Sequence, residues 1–119
     1  SAASDVYKRQ LRNLRIGEKL LLLALTRLLQ RKKYVDKVPM GLLEMEYNEI
    51  CDELGVQPRK HTTVWEYVRN LEAMGIIITE KPSKGFRGRT TLIGLPTISL
   101  NTLERELIKI IRDDMKKAF

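Results

Sequence analysis

Cysteine and histidine each occur once in this 119-residue chain, as Cys51 and His61. One of each excludes a zinc finger and a thiol redox pair, and fits a reducing compartment. Cys51 falls among the apolar positions of an expected helix and reads as a small buried apolar residue. No apolar run approaches the roughly 18 residues of a membrane span, and no signal peptide is visible, so a soluble, intracellular setting is expected. A Gly-x-x-x-x-Gly-Lys-Ser/Thr phosphate loop is also missing, which excludes a P-loop ATPase site within these residues. Asp113 and Asp114 are adjacent, point about 100° apart on a helix and form no acid pair. No nucleophile stands beside a base. The expectation is a chain with no catalytic residue, metal site or cofactor.

Charge of each sign is missing from different places. Residues 38–58 contain no base and five acids: Glu44, Glu46, Glu49, Asp52 and Glu53. Between Lys81 and Leu103 there is no acid at all. Residues 1–37 carry ten bases against three acids, and 59–96 carry seven against three, within a net charge of +7. Such a chain presents two basic regions separated by an acidic one, so a polyanion must approach from a definite side. Its length suits one core, and 43% hydrophobic with 31% charged residues describes a globular domain.

Along the chain, Ser1-Ala2-Ala3-Ser4 reads as cloning residue, and residues 1–10 as a tag or linker before a domain at 11–119. Residues 20–29 (LLLLALTRLL) are apolar almost all round, which predicts the central helix of the domain. Arg27, Arg31, Lys32 and Lys33 at its end either match the helix dipole or contact phosphate. Residues 34–42, with Pro39 and Gly41, predict a connection. Leu43, Tyr47, Ile50, Cys51 and Leu54 then mark a second amphipathic helix stopped by Gly55, with its acids on the face away from nucleic acid.

Only Val56 and Gln57 separate Gly55 from Pro58, which suits the first turn of a third helix. Val64, Val68 and Leu71 form its apolar stripe. Thr62, Glu66, Arg69 and Ala73 lie opposite, flanked by Thr63 and Asn70. These are types that reach base edges and phosphates, though a merely solvated face would look similar. His61, beside Lys60, reads as a phosphate or base contact or as a half-buried side chain.

Ile76-Ile77-Ile78-Thr79 and Thr90-Thr91-Leu92-Ile93 predict two strands. The loop between them, Lys81-Pro82-Ser83-Lys84-Gly85-Phe86-Arg87-Gly88-Arg89, holds four cations and no acid, and is too long for a tight hairpin turn. Gly85 and Gly88 permit close approach to a surface. Leu100, Leu103, Leu107, Ile110, Ile111 and Met115 trace a last helix, with Asn101 and Glu104 resembling a capping box. Closing the core is its expected task, with a dimer contact as the other reading.

The order helix, helix, strand, basic loop, strand is that of a winged helix-turn-helix. The fold expected is mainly α with a small β-hairpin: a three-helix core, a two-stranded wing and a C-terminal helix. Its basic loop suits the negative surface of a duplex.

The same residues resemble the C-terminal winged-helix domain of archaeal origin-recognition initiators, relatives of origin recognition complex subunits and the cell division control licensing factor. The resemblance spans residues 11–119. It rests on Glu18-Lys19-Leu20-Leu21-Leu22-Leu23-Ala24-Leu25, on Tyr47-Asn48-Glu49-Ile50-Cys51-Asp52-Glu53-Leu54-Gly55, and on residues 64–77. Most specific is the wing pattern Ser83-Lys84-Gly85-Phe86-Arg87-Gly88-Arg89-Thr90. The resemblance implies binding of double-stranded DNA at origin repeats, with the third helix in the major groove and the wing in the minor groove. It implies helix contacts from Lys60, Thr62, Thr63, Glu66, Arg69 and Asn70, and wing contacts from Lys84, Gly85, Phe86, Arg87 and Arg89. Lys60-His61-Thr62 departs from two consecutive arginines expected there. In this family an AAA+ ATPase module precedes the domain, so the chain reads as the excised, non-enzymatic domain. It is expected to be monomeric, cytoplasmic and nucleoid-associated, with other replication proteins as further partners. Two other functions fit the pattern: a free-standing transcription regulator, which would need a dimer to read two half-sites, and a protein-interaction module.

Overall fold

In the computed structural model, which describes residues 2–31, 36–81, 90–96 and 99–118, the central helix decides the architecture. This is α2 (Ile16–Gln30), buried on almost every side from Gly17 to Leu29. Its leucine run leaves no polar stripe, so other elements must cover it. Helix α1 (Ala2–Arg12) precedes it, and α3 (Met40–Leu54), α4 (His61–Ala73) and α5 (Leu100–Ala118) surround it. No described helix is long and apolar enough to cross a membrane. Residues 1–10, expected outside the fold, fall largely within α1. That helix lies on α5, joined to it by the ion pairs Lys8–Glu106 and Arg12–Asp113, and its Leu11 is buried in the core.

The sheet departs from the expected two strands. It has three, in the order β1-β3-β2, all antiparallel: β1 (Lys37–Pro39), β2 (Ile78–Glu80) and β3 (Leu92–Gly94). Strand β1 fell inside the expected connection because three residues ending in proline give no readable alternation. Val38 is nevertheless fully buried opposite Ile93, and Lys37 bridges to Glu80 on β2. Both wing strands begin two residues later than the apolar runs suggested. Ile76 and Ile77 are spent in the core before the strand begins, while Ile78 is exposed.

Helix α3 ends as expected at Gly55, whose φ of +69° is strain-free only for glycine. Its stripe of Leu43, Tyr47, Ile50 and Cys51 is buried, but Leu54 is 39% exposed. Its acids do not share one outward face. Glu46 is buried and accepts from Arg31, and Glu44 faces the start of α4. The expected capping box of α5 is also absent. Ser99 caps that helix through its Oγ to the Thr102 N–H, while Asn101 and Glu104 reach back to Gln30 and Arg27 at the end of α2. Arg27 and Arg31 are thus held in ion pairs, and Lys32 and Lys33 lie outside the described residues.

Candidate nucleic-acid interface

The helix-turn-helix is α3, residues 55–60 and α4. Pro58 does not sit in the first turn of α4, which starts at His61 with Lys60 as an extended N-cap residue. The cause is Tyr47. From the buried face of α3 its hydroxyl accepts the Arg59 N–H at 2.9 Å, tying the connection to α3 immediately before the extended Lys60. Burial pushes the Tyr47 phenol up to about 12, so it stays protonated.

The phase of α4 is as the periodicity predicts. Val64, Val68 and Leu71 are buried, joined by Tyr67, and Thr62, Glu66, Arg69, Asn70 and Ala73 are exposed with Thr63 half-buried. Lys60 and Arg59 are exposed just before it. Arg59, Lys60 and Arg69 have no carboxylate partner among the described residues, unlike Arg15, Lys19, Arg27 and Arg31 of the central helix and its ends. Three free cations therefore border the outward face of α4.

Asn70 is less free than periodicity suggests. Its amide donates to Glu18 at 2.6 Å, and Glu18 also accepts the Arg15 backbone N–H at 2.9 Å and the Arg15 guanidinium at 3.2 Å. Burial alone would raise the Glu18 carboxyl. The hydrogen bonds from Arg15 and Asn70 outweigh it and hold the pKa below the ordinary carboxylate value. The Arg15 guanidinium lies 4.8 Å over the Tyr67 ring and ties the start of α2 to α4. Close approach is obligatory here, because a Cβ on Gly17 would come within 2.6 Å of three Tyr67 atoms. None of Arg15, Glu18 or Tyr67 was singled out from sequence as a support of the reading helix. The Arg15-x-x-Glu18 spacing at a helix start was the available signal.

His61 is exposed but committed. Its Nδ1 lies 2.6 Å from Glu44, and its Nε2 accepts from the Trp65 indole at 3.0 Å. The expected wing contacts Lys84, Gly85, Phe86, Arg87 and Arg89 lie outside the described residues. The strands β2 and β3 that carry that loop are in place, with Glu80 opposite Leu92 at its base.

Comparison with known proteins decides the family. Residues 9–105 match the model of the CDC6, C terminal winged helix domain. The chain belongs to this family. It is similar to an ORC1-type DNA replication protein 2 of Saccharolobus solfataricus, with 49% identity over 64% of this chain and 18% of that protein. A Sulfurisphaera tokodaii protein of the same name is 45% identical over 71% of the chain and 20% of its own length. The chain thus spans about a fifth of the curated relatives it matches. Among solved structures, CDC6P from Pyrobaculum aerophilum superposes with a TM-score of 0.78 and 34% identity, over 90% of this chain and 26% of that one. The Aeropyrum pernix ORC1 protein in complex with DNA shares the fold, with a TM-score of 0.71 and 22% identity, over 86% of this chain and 26% of that one.

Proposed function

We propose that this chain binds double-stranded DNA at replication origins, with α4 in the major groove and the β2–β3 wing in the adjacent minor groove. The observation that carries the reading is the two-sidedness of α4. One side is locked into the core by Val64, Val68 and Leu71, and the other offers Thr62, Thr63, Glu66 and Arg69 beside Arg59 and Lys60, which have no ion pair among the described residues. Hydroxyl, carboxylate and guanidinium groups on a rigid helix can read base edges, while unpaired cations release counterions from phosphate. Asn70 keeps its amide oxygen for a base or a neighbouring side chain while its NH2 holds Glu18. Lys84, Gly85, Phe86, Arg87 and Arg89 supply the wing contacts, where guanidinium suits a narrow minor groove.

The relatives support this reading. They are named as replication proteins, and a structural relative is described in complex with DNA. We take residues 11–119 as the DNA-binding unit. It acts as a monomer on its own, contributes no catalysis itself, and works in the cytoplasm at the nucleoid with other replication proteins.

The test is a binding titration with an origin-repeat duplex and a scrambled duplex at two salt concentrations. The chain should prefer the origin repeat. Arg69→Ala should cost about 1–3 kcal/mol on the origin repeat and little on scrambled DNA if it reads a base. The Arg87→Ala/Arg89→Ala double variant should weaken both duplexes and lower the salt slope by roughly one unit per lost contact. Unchanged affinity and slope in the double variant would remove the wing from the interface, and equal losses for Arg69→Ala would reassign it to the backbone.

A further inference from the structure

Helix α5 separates its charges in a way the DNA reading does not use. Each of its four acids is held by a group on α1 or α2: Glu104 by Arg27, Glu106 by Lys8, Asp113 by Arg12 and Asp114 by Lys19. Its outward bases have no such partner. Arg105, Lys109, Arg112 and Lys116 are all exposed and have no ion pair among the described residues. They recur at i, i+4, i+7 and i+11, one face of a helix, along about 17 Å of its axis. The acids have been used to fasten α5 to the core, and the bases are left as an uncompensated stripe.

The stripe borders an apolar groove. A cavity of about 380 Å³ runs along it past Ile108, and a second of about 240 Å³ joins it at Ile108 and Arg112. The second is floored by apolar side chains of α2, α3 and α5, including Leu54, which is exposed against the expectation from its stripe, with Arg27, Arg112 and a single acid, Glu53, also lining it. Helix α5 covers the central helix without a substantial contact with α4, so this groove and the α4 face are separate surfaces.

We infer that the α5 groove is a docking surface for an acidic, amphipathic helical segment of a partner protein. Its carboxylates would meet the cation stripe, and its apolar side chains would lie over Ile108 and Leu54. A second DNA duplex is the poorer fit, because phosphates would use the stripe and leave the apolar floor facing water. Charge complementarity sets the orientation, and the apolar floor sets the requirement for a helical pattern in the ligand.

The probe is a fluorescein-labelled synthetic peptide of about 20 residues, about five helical turns. It is built from leucine at i, i+4, i+7 and i+11 with glutamate and alanine elsewhere. A scrambled peptide of identical composition and a random-sequence duplex serve beside it, all read by fluorescence anisotropy with the full chain. The patterned peptide should bind, and more tightly than its scramble. Arg105→Glu/Lys109→Glu should weaken it about tenfold or more, since two attractive rim charges become repulsive. Ile108→Ser should also weaken it, with circular dichroism confirming the fold, while Arg69→Ala should leave it unchanged. Equal binding of patterned and scrambled peptides would overturn the helical docking site in favour of a plain polyanion surface. No peptide binding would overturn it outright. Loss of duplex binding in Arg105→Glu/Lys109→Glu, without an effect on the peptide, would make the stripe a DNA contact instead. Arg69→Ala on origin DNA reports on the α4 interface separately, so the two readings fail independently.

Discussion

Single side chains decide how rigidly the reading helix is presented, and Glu18 is the clearest case. It is buried at the start of α2, yet it holds Asn70 of α4 and both the backbone and the guanidinium of Arg15. Its lowered pKa means these bonds favour the folded state at neutral pH. A carboxyl with a depressed native pKa stabilises above its unfolded value and loses that contribution as pH falls through the native value. Glu18→Gln should therefore lower the melting temperature at pH 7, by the equivalent of about 1–3 kcal/mol, and the Arg15 share is discounted because that side chain is more than half exposed. Melting curves of the two proteins should converge on acidification below about pH 4, the ordinary carboxylate range. An offset that stays constant with pH would mean the carboxylate charge is not what holds this contact. The spacing of Arg15 and Glu18 was readable in the chain, but the link to Asn70 was not, because periodicity assigns Asn70 to a face and not to a partner 52 residues away.

At the scale of elements, helix phases were legible and, apart from the stop of α3 at Gly55, most boundaries were not. Strong 3.6-residue spacing placed Val64, Val68 and Leu71 in the core and Thr62, Glu66 and Arg69 outside, as the structure has them. Where one long-range contact sets the backbone, local signals failed. Tyr47 holds Arg59 and delays α4 past Pro58, β1 exists because β3 offers it a partner, and Ser99 rather than Asn101 caps α5. The two sides of α4 give a paired prediction. Leu71→Ala should cost about 2–5 kcal/mol, out of a total of roughly 5–15 for a domain of this size, and visibly lower the melting temperature. DNA binding by that variant should fail on warming and survive in the cold. Arg69→Ala should weaken binding at every temperature with an unchanged melt. Thermal melts beside binding assays at low and high temperature make the comparison, and an unchanged melt for Leu71→Ala would contradict the burial of that side of α4.

For the molecule as a whole, charge is organised around a neutralised centre. Lys8 and Arg12 of α1 and Lys19 and Arg27 of α2 are held by carboxylates of α5, and Arg31 by Glu46 of α3. Among the described residues, Arg59, Lys60 and Arg69 near α4 and Arg105, Lys109, Arg112 and Lys116 on α5 have no ion pair. The uneven charge of the chain pointed to basic regions at residues 1–37 and 59–96; the second holds the cations bordering α4, but most described cations of the first are held in ion pairs. The stripe on α5 was invisible because the summed charge of residues 97–119 is only +1. Its acids and bases cancel in a count and separate only when the helix is seated. The measurement that tests the central claim most directly is a chemical-shift titration of the isotope-labelled chain with an origin-repeat duplex. The account predicts perturbations concentrated at residues 59–70 and in the 81–91 loop, with Arg105, Lys109 and Lys116 unmoved. Perturbations confined to α5, with the exposed side of α4 silent, would contradict it.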